Sequence, residues 1–366
     1  MSIEGVCVRQ VMLPLVMPYK VSLMTIEGFD PFIVEAFDSD GNEGFGEVLI
    51  IPGYTAETVA GSWELCNRLA SRIVGLSSDD ACVVLTNHVA EGAGAASAVL
   101  AAIDMLGRHP VLESRHAFAV PLLAPLHAQE LPTIGPEIEG RLREGFRTLK
   151  VKVGFDWESD LRRVRHIQSC VGGRASLRLD ANQGYSVPDG RKFAGALEPE
   201  GIELFEQPCH MDDWEGNAQV AAVSSVPVML DESIYGVADI ARAAEIEGVG
   251  FVKLKLKKIG SIDMLVAALA EIRASGLTPV LGDGVSIEIG CWMESCVARH
   301  TIDNAGEMNG FLKTKARLFR TPLEFQSGAI RVPAGFQPRL DRAALERHTV
   351  RKMEHGARAA VQAMQA

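Results

Sequence analysis

Charged side chains recur about every 25 residues between positions 150 and 257, each at or near the end of a short apolar run. The charges are Lys150, Lys152, Asp180, Glu206, Asp231 and Lys255. Each run is followed by a stretch of helical length, which predicts buried strands that alternate with helices. Because a strand, a helix and two loops need roughly 25 to 30 residues, each predicted βα unit has one strand end that carries a charge.

Charges at the carboxyl ends of successive parallel strands lie together at one end of the sheet. The strands predicted from the sequence are 119–126, 147–153, 175–182, 202–206, 226–231, 251–257, 278–281 and 305–309. This alternation is typical of an α/β fold, here a (β/α)7-8 TIM-type barrel. Barrel active sites lie at the carboxyl ends of the strands, so the charges indicate a site there.

The segments on either side of the barrel pattern are organised differently. Strand-like runs at 6–15, 32–37 and 45–50 precede helical patterns at 55–75, 78–91 and 93–108. With Pro110 marking the change, we expect an α+β domain over 1–112 and the barrel over 113–322. Residues 323–341 look like a hairpin, and 342–366 predict an amphipathic helix or a frayed end. We treat 323–366 as a separate C-terminal segment.

Three carboxylates, Asp180, Glu206 and Asp231, are expected to converge at the barrel mouth. A single carboxylate at a strand end is more often a helix cap or an ion-pair partner. Three carboxylates in register, with lysines on both sides, are harder to explain as helix caps or ion-pair partners. Buried charges are costly unless they are paired or bound to a metal. Ligands that are all oxygen favour a hard cation, so we expect Mg²⁺, with Mn²⁺ as the alternative.

The overall charge excludes some classes of partner. A net charge of −11 argues against nucleic acid and against an anionic membrane surface, since both require a basic surface. The seven cysteines are scattered and show no paired metal-ligand spacing, which indicates reduced thiols. The first residues do not show a basic start followed by an apolar core, and no apolar run is long enough to span a bilayer, so we expect neither secretion nor membrane insertion. We expect a cytoplasmic homo-oligomer.

Five motifs resemble the enolase superfamily and, within it, the muconate-lactonizing enzyme subgroup of the mandelate racemase/muconate lactonizing enzyme family. They are Thr148-Leu149-Lys150-Val151-Lys152-Val153-Gly154, Leu179-Asp180-Ala181-Asn182-Gln183-Gly184-Tyr185, Phe205-Glu206-Gln207-Pro208, Leu230-Asp231-Glu232-Ser233 and Lys255-Leu256-Lys257-Lys258-Ile259-Gly260. The resemblance implies a Mg²⁺-dependent enzyme that removes the proton α to a carboxylate through an enolate. It also implies that 1–112 is a capping domain, completed by residues 323–366 with a returning strand at 328–333.

The resemblance supplies roles for the lysines. Lys152, at the end of its strand, is the better base, and Lys150, one pleat deeper, is expected to hold a substrate carboxylate oxygen. Lys255 is the second catalytic lysine. Its choice over Lys253 and Lys257 rests on the family motif. Asn182 and Glu232 are expected to orient the ligands.

Substrate contacts are expected from the cap and from the last barrel strands. Lys20 and Tyr54 lie in the two cap loops that, by resemblance, close over the barrel mouth. The eighth strand has Glu307-Met308-Asn309 at the position where dipeptide epimerases share an Asp-x-Asp motif. Asp283 follows the seventh strand. Glu307, Asn309 and Asp283 are therefore candidate substrate contacts. The two acids favour an amine, imino-acid or betaine carboxylate.

The lysine pair leaves the reaction open. Two bases on opposite faces of a planar enolate permit racemisation or epimerisation, which the amine argument favours. The same pair permits β-elimination, as in a dehydratase, or cycloisomerisation of the muconate type. A Schiff-base aldolase and a non-catalytic binding barrel are more remote alternatives, because the first leaves three carboxylates unexplained and the second would normally have lost a ligand or a base.

Overall fold

A computed structural model describes residues 2–20, 25–53 and 55–357. Its strands are β1 (Ile3–Val11), β2 (Leu13–Lys20), β3 (Thr25–Phe29), β4 (Phe32–Asp38), β5 (Glu43–Val48), β6 (Phe118–Pro121), β7 (Ala124–Leu126), β8 (Thr148–Lys152), β9 (Ser176–Asp180), β10 (Ile202–Glu206), β11 (Val228–Leu230), β12 (Val249–Leu254), β13 (Thr278–Leu281), β14 (Glu324–Gln326), β15 (Ala329–Val332) and β16 (Thr349–Gly356). Its helices are α1 (Val59–Ile73), α2 (Ser78–Thr86), α3 (Ala93–Leu106), α4 (Leu131–Arg143), α5 (Trp157–Val171), α6 (Val187–Ala196), α7 (Trp214–Ala221), α8 (Val237–Ala244), α9 (Leu256–Ile259), α10 (Ile262–Ala274), α11 (Glu288–Thr301) and α12 (Arg342–His348). None of these helices is both long enough and apolar enough to cross a bilayer.

The N-terminal module is an antiparallel sheet covered by helices. The sheet has the order β16-β1-β4-β5, and α1, α2 and α3 pack against it over a shared apolar core. The alanine-rich α3 lies directly on β5 because Gly44 and Gly46 have no side chain to hold it away. A Cβ at Gly46 would lie 2.2 Å from the carbonyl oxygen of Ala98 in α3.

Substitution at this contact should destabilise the fold. We expect Gly46→Ala to lower the free energy of unfolding by at least about 2 kcal/mol, because backbone atoms of α3 must move to admit the methyl group. Gly140→Ala is the matched control, since a Cβ there meets no atom within 4 Å and the residue lies inside α4. Urea unfolding of both variants checks the difference. Equal midpoints would contradict the close packing of α3 on β5.

The barrel is a parallel sheet with the order β13-β12-β11-β10-β9-β8-β7. A single parallel bridge between Leu122 and Gly306 closes it, where the sequence predicted an eighth strand at 305–309. Gly306 donates to the Pro121 carbonyl oxygen at 2.9 Å, and the amide of Glu307 donates to the Leu281 carbonyl oxygen at 3.0 Å. The eighth position is therefore filled by two or three residues, because the chain turns at Asn309 into a short 3₁₀ helix.

Three predicted elements are corrected by the structure. The predicted first barrel strand, 119–126, is divided: β6 pairs with β15 in a small sheet with β14, and only β7 joins the barrel. The predicted sixth strand ends at Leu254 rather than at Lys257, because the chain turns into α9. Within the described part of the C-terminal tail, helical structure is confined to α12, after which β16 pairs antiparallel with β1. The strand that returns to the cap is thus β16 and not the segment 328–333.

Candidate active site

Two of the predicted metal ligands are the last residues of neighbouring strands and are paired with each other. The third lies directly after the next strand. Asp180 at the end of β9 pairs with Glu206 at the end of β10, and Asp231 is the first residue after β11. Each is at most 2% exposed. The parallel register and the regular length of the βα units bring the three carboxylates to one level of the barrel, as the sequence predicted.

Two ammonium groups lie where these carboxylates meet. Lys150 Nζ is 2.9 Å from Asp180 Oδ2, from Glu206 Oε2 and from Glu307 Oε2. Lys253 Nζ is 3.1 Å from Glu206 Oε1 and also contacts Glu307 Oε2. Burial alone would raise the pKa of Asp180, but the charges of Lys150, Lys152 and Lys253 lower it to about 2. Asp180 is therefore ionised, whereas burial first, and the charge of Asp180 next, raise the pKa of Glu206.

This donor set fits a hard divalent cation chemically. All three side chains supply oxygen, all are buried, and all are already compensated by positive charge. Within the described residues, no three Asp, Glu, His or Cys side chains are already arranged to hold a metal ion. Binding of an ion would therefore require the carboxylates to exchange some of their ammonium contacts for it.

The two predicted catalytic lysines line one cavity at the barrel mouth. Lys152 Nζ is 2.5 Å from Asp180 Oδ2, and Lys255 Nζ is 2.8 Å from Asp231 Oδ2. The Lys152 side chain is 25% exposed, against 4% for Lys150, as expected for the more accessible base. Burial would lower the pKa of Lys255, but neighbouring carboxylates, Asp231 first, raise it well above its ordinary value.

Asn182 and Glu232 connect the ends of two strands. The Asn182 amide group accepts from Lys152 Nζ and donates to Glu232 Oε1 at 3.0 Å, and the Asn182 backbone N–H donates to Asp180 Oδ1 at 2.9 Å. Burial first, and Asp231 next, raises the pKa of Glu232 to about 7. These contacts hold Lys152 and Asp180 in fixed positions relative to each other.

A family model described as enolase C-terminal domain-like matches residues 135–336, which is more than half of the chain. The chain belongs to the enolase C-terminal domain-like family. This assignment confirms the resemblance to the enolase superfamily, the TIM-type barrel and the enzyme class predicted from the sequence.

The similarity to known proteins extends over most of this chain and most of each relative. The L-Ala-D/L-Glu epimerase of Clostridium acetobutylicum is 28% identical over 317 residues, 81% of this chain and 84% of that protein. The hydrophobic dipeptide epimerase of Enterococcus faecalis is 30% identical, over 77% of this chain and 82% of that protein. A crystal structure of dipeptide epimerase from Enterococcus faecalis V583, complexed with Mg and the dipeptide L-Leu-L-Tyr, gives a TM-score of 0.83 at 27% identity, over 92% and 99% of the two chains.

Four residues of this enolase-family site were not predicted to act in it. Lys258 donates to Asp231 Oδ1 at 2.7 Å and to the Asp231 carbonyl oxygen, and burial lowers its pKa to about 8. Lys257 Nζ lies 2.6 Å from Asp283 Oδ2. The fully buried Gln207 accepts from the backbone N–H of Asp231. Lys253, the fourth, alternates with Lys255 along the chain, and that spacing was the signal for it.

The predicted substrate contacts divide into three groups. Asp283 and Glu307 line the cavity, but both carboxylates are already paired with lysines. Asn309 does not line this cavity, because its buried amide donates to the Leu123 carbonyl oxygen at 3.0 Å. Tyr54 and the Lys20 side chain lie outside the part of the chain that is described. Apolar and aromatic residues also line the cavity, namely Leu49, Ile50, Ile51, Tyr235 and Val285.

Proposed function

We propose that this enzyme is a racemase or epimerase that removes the proton α to the carboxylate of an amino-acid-like substrate through an enolate intermediate. The observation that carries the proposal is the arrangement of Lys152 and Lys255. They come from β8 and from the turn after β12, contact different carboxylates, Asp180 and Asp231, and line one cavity. Two lysines that approach one cavity from different strands suit the exchange of a proton between the two faces of a planar carbon, provided that one acts as the neutral amine and the other as the ammonium.

We further propose that Asp180, Glu206 and Asp231 hold Mg²⁺, with Mn²⁺ as the alternative. When bound, the ion supplies a Lewis acid that stabilises negative charge at the substrate carboxylate as the proton leaves. As the neutral amine, Lys152 would take the proton from one face of the α-carbon and become an ammonium, and the Lys255 ammonium would deliver its proton to the other face. Lys150, whose Nζ contacts three carboxylates, would exchange one of them for a substrate carboxylate oxygen.

The relatives support an amino-acid derivative as the substrate. The two curated relatives are named as epimerases of L-Ala-D/L-Glu and of hydrophobic dipeptides, and the structural neighbour holds a dipeptide. The apolar residues that line the cavity, among them Leu49, Ile51 and Val285, suit a substrate with an apolar side group. We propose dipeptides as the first class to test, with contacts from Lys20 and Tyr54 in the cap.

Exchange of the α-proton in D₂O tests this proposal directly. A panel of dipeptides, free amino acids, betaines and sugar acids would be incubated with the enzyme, with and without Mg²⁺, and followed by NMR. We expect deuterium at the α-carbon of both stereoisomers of a preferred amino-acid derivative, and only with the ion present. Exchange in a single stereoisomer with loss of a β-substituent would indicate a dehydratase, and ring closure would indicate a cycloisomerase. No exchange in any carboxylate would contradict the proposal.

A further inference from the structure

Glu307 and Lys253 form a buried charge pair inside the barrel. Glu307 extends from the closing segment next to β13, and Lys253 from β12, two residues before Lys255. The ammonium of Lys253 contacts Glu307 Oε2 and lies 3.1 Å from Glu206 Oε1 and 3.6 Å from Asp231 Oδ2. The side chain of Lys253 is only 2% exposed. Its positive charge is therefore directed at two of the three proposed metal ligands.

Both carboxylate oxygens of Glu307 are already engaged. Oε1 accepts from Lys150 at 3.1 Å, and Oε2 accepts from Lys150 at 2.9 Å and from Lys253. The backbone around it is closely packed, since a Cβ on Gly284 would lie 2.9 Å from Glu307 Oε1. A substrate ammonium at Glu307 would have to replace a lysine whose other contacts are also buried carboxylates. Such an exchange would bring a third ammonium group to a buried carboxylate that already compensates two, and burying this additional positive charge is costly.

We infer that Glu307 and Lys253 form an internal charge pair that sets the affinity of the three-carboxylate site for its metal ion, and that Glu307 is not a contact for a substrate amine. This inference rests on the proposed ligand set. Lys253 competes with a cation for Glu206 and Asp231, and Glu307 draws Lys253 and Lys150 away from the ligands. The two side chains therefore act with opposite signs. Both are positioning residues, since they act through the ligands.

The sign of each effect follows from the charge that is removed. Lys253→Met removes a positive charge beside two ligands, so the site should bind Mn²⁺ about tenfold or more tightly. Glu307→Gln leaves Lys150 and Lys253 without their counter-charge, so they compete more strongly for the ligands, and Mn²⁺ should bind about tenfold or more weakly. In the double variant the two changes should largely cancel.

Titration of free Mn²⁺ by electron paramagnetic resonance, without substrate, measures these affinities. Lys257→Met is the matched control, because this lysine lines the same cavity but contacts Asp283 and the Leu49 carbonyl oxygen instead. Its Mn²⁺ affinity should stay near that of the wild type. If Lys253→Met does not fold, Lys253→Gln should change the affinity in the same direction. General damage to the site would weaken binding in both single variants, and that result would overturn the inference.

A kinetic measurement separates this role from substrate binding. Under saturating metal, Glu307→Gln should change KM equally for substrates with and without a free amine. A rise in KM confined to amine-bearing substrates, with unchanged Mn²⁺ affinity, would assign Glu307 to the substrate and refute the inference. Because Mn²⁺ binding is measured without turnover, failure of this inference is distinguishable from failure of the proposed reaction, which the exchange experiment tests.

Discussion

Asp231→Asn is expected to abolish turnover while leaving the fold intact. The substitution removes one proposed metal ligand, and it also leaves the ammonium groups of Lys255 and Lys258, at 2.8 and 2.7 Å, without their counter-charge. A neutral amide is a weaker ligand for a hard cation, and two unpaired ammonium groups repel that cation further. Steady-state assays with the substrate found by proton exchange would measure the loss, and circular dichroism would monitor the fold.

Asp303→Asn provides the control for this substitution. Asp303 pairs with Arg273 on the surface and its side chain is 87% exposed, so its replacement should leave turnover unchanged. Exhaustive chelation of the wild-type enzyme should reproduce the loss, and Mg²⁺ should restore activity. If the chelated protein stays fully active, the metal assignment of Asp180, Glu206 and Asp231 is wrong.

Loss of either catalytic lysine should affect the two enantiomers differently. If Lys152 and Lys255 serve opposite faces of the α-carbon, Lys152→Ala should abolish α-proton exchange in one enantiomer and spare the other. Lys255→Ala should show the reverse. Net racemisation should fall in both, by roughly 10² to 10⁴, the typical cost of removing a general base. NMR in D₂O, started from each pure enantiomer, measures all four rates.

Lys192→Ala is a suitable control, since this lysine is on the surface and pairs with Asp189. If one lysine alone governs exchange and only one stereoisomer reacts, the enzyme is a dehydratase or a cycloisomerase. If exchange of both enantiomers survives in either single variant, neither lysine is the base, and Lys253 and Lys257 are the next to test.

The barrel could be predicted from the sequence because its period and its register are local properties. Each apolar run between positions 149 and 257 contains one observed strand, and the spacing alone brings Asp180, Glu206 and Asp231 to one level. The pairing of Lys253 with Glu307 could not be predicted, because it depends on which side chains meet across the interior. Residues 54 apart along the chain carry no local signal of such a contact.

The errors have a similar origin. The run 119–126 is continuous in sequence, but its first half pairs with β15, more than 200 residues away, instead of joining the barrel sheet. The tail was predicted as an amphipathic helix or a frayed end because helical and strand patterns are ambiguous in short segments, and only the free edge of β1 favours the strand. The division of the chain into 1–112, 113–322 and 323–366 stays a prediction.

The pairing of β16 with β1 has a consequence for the biosynthesis of this protein. The second strand to flank β1 is translated on the order of tens of seconds after β1, at about 5 to 20 residues per second, because more than 300 residues separate the two strands. During that time one edge of β1 exposes unpaired backbone groups, which are a template for pairing with other nascent chains. The barrel strands, β7 to β13, are all translated within this interval. The cap sheet is thus begun before the barrel and completed after it, and chaperones have this whole interval to act on its unfinished edge.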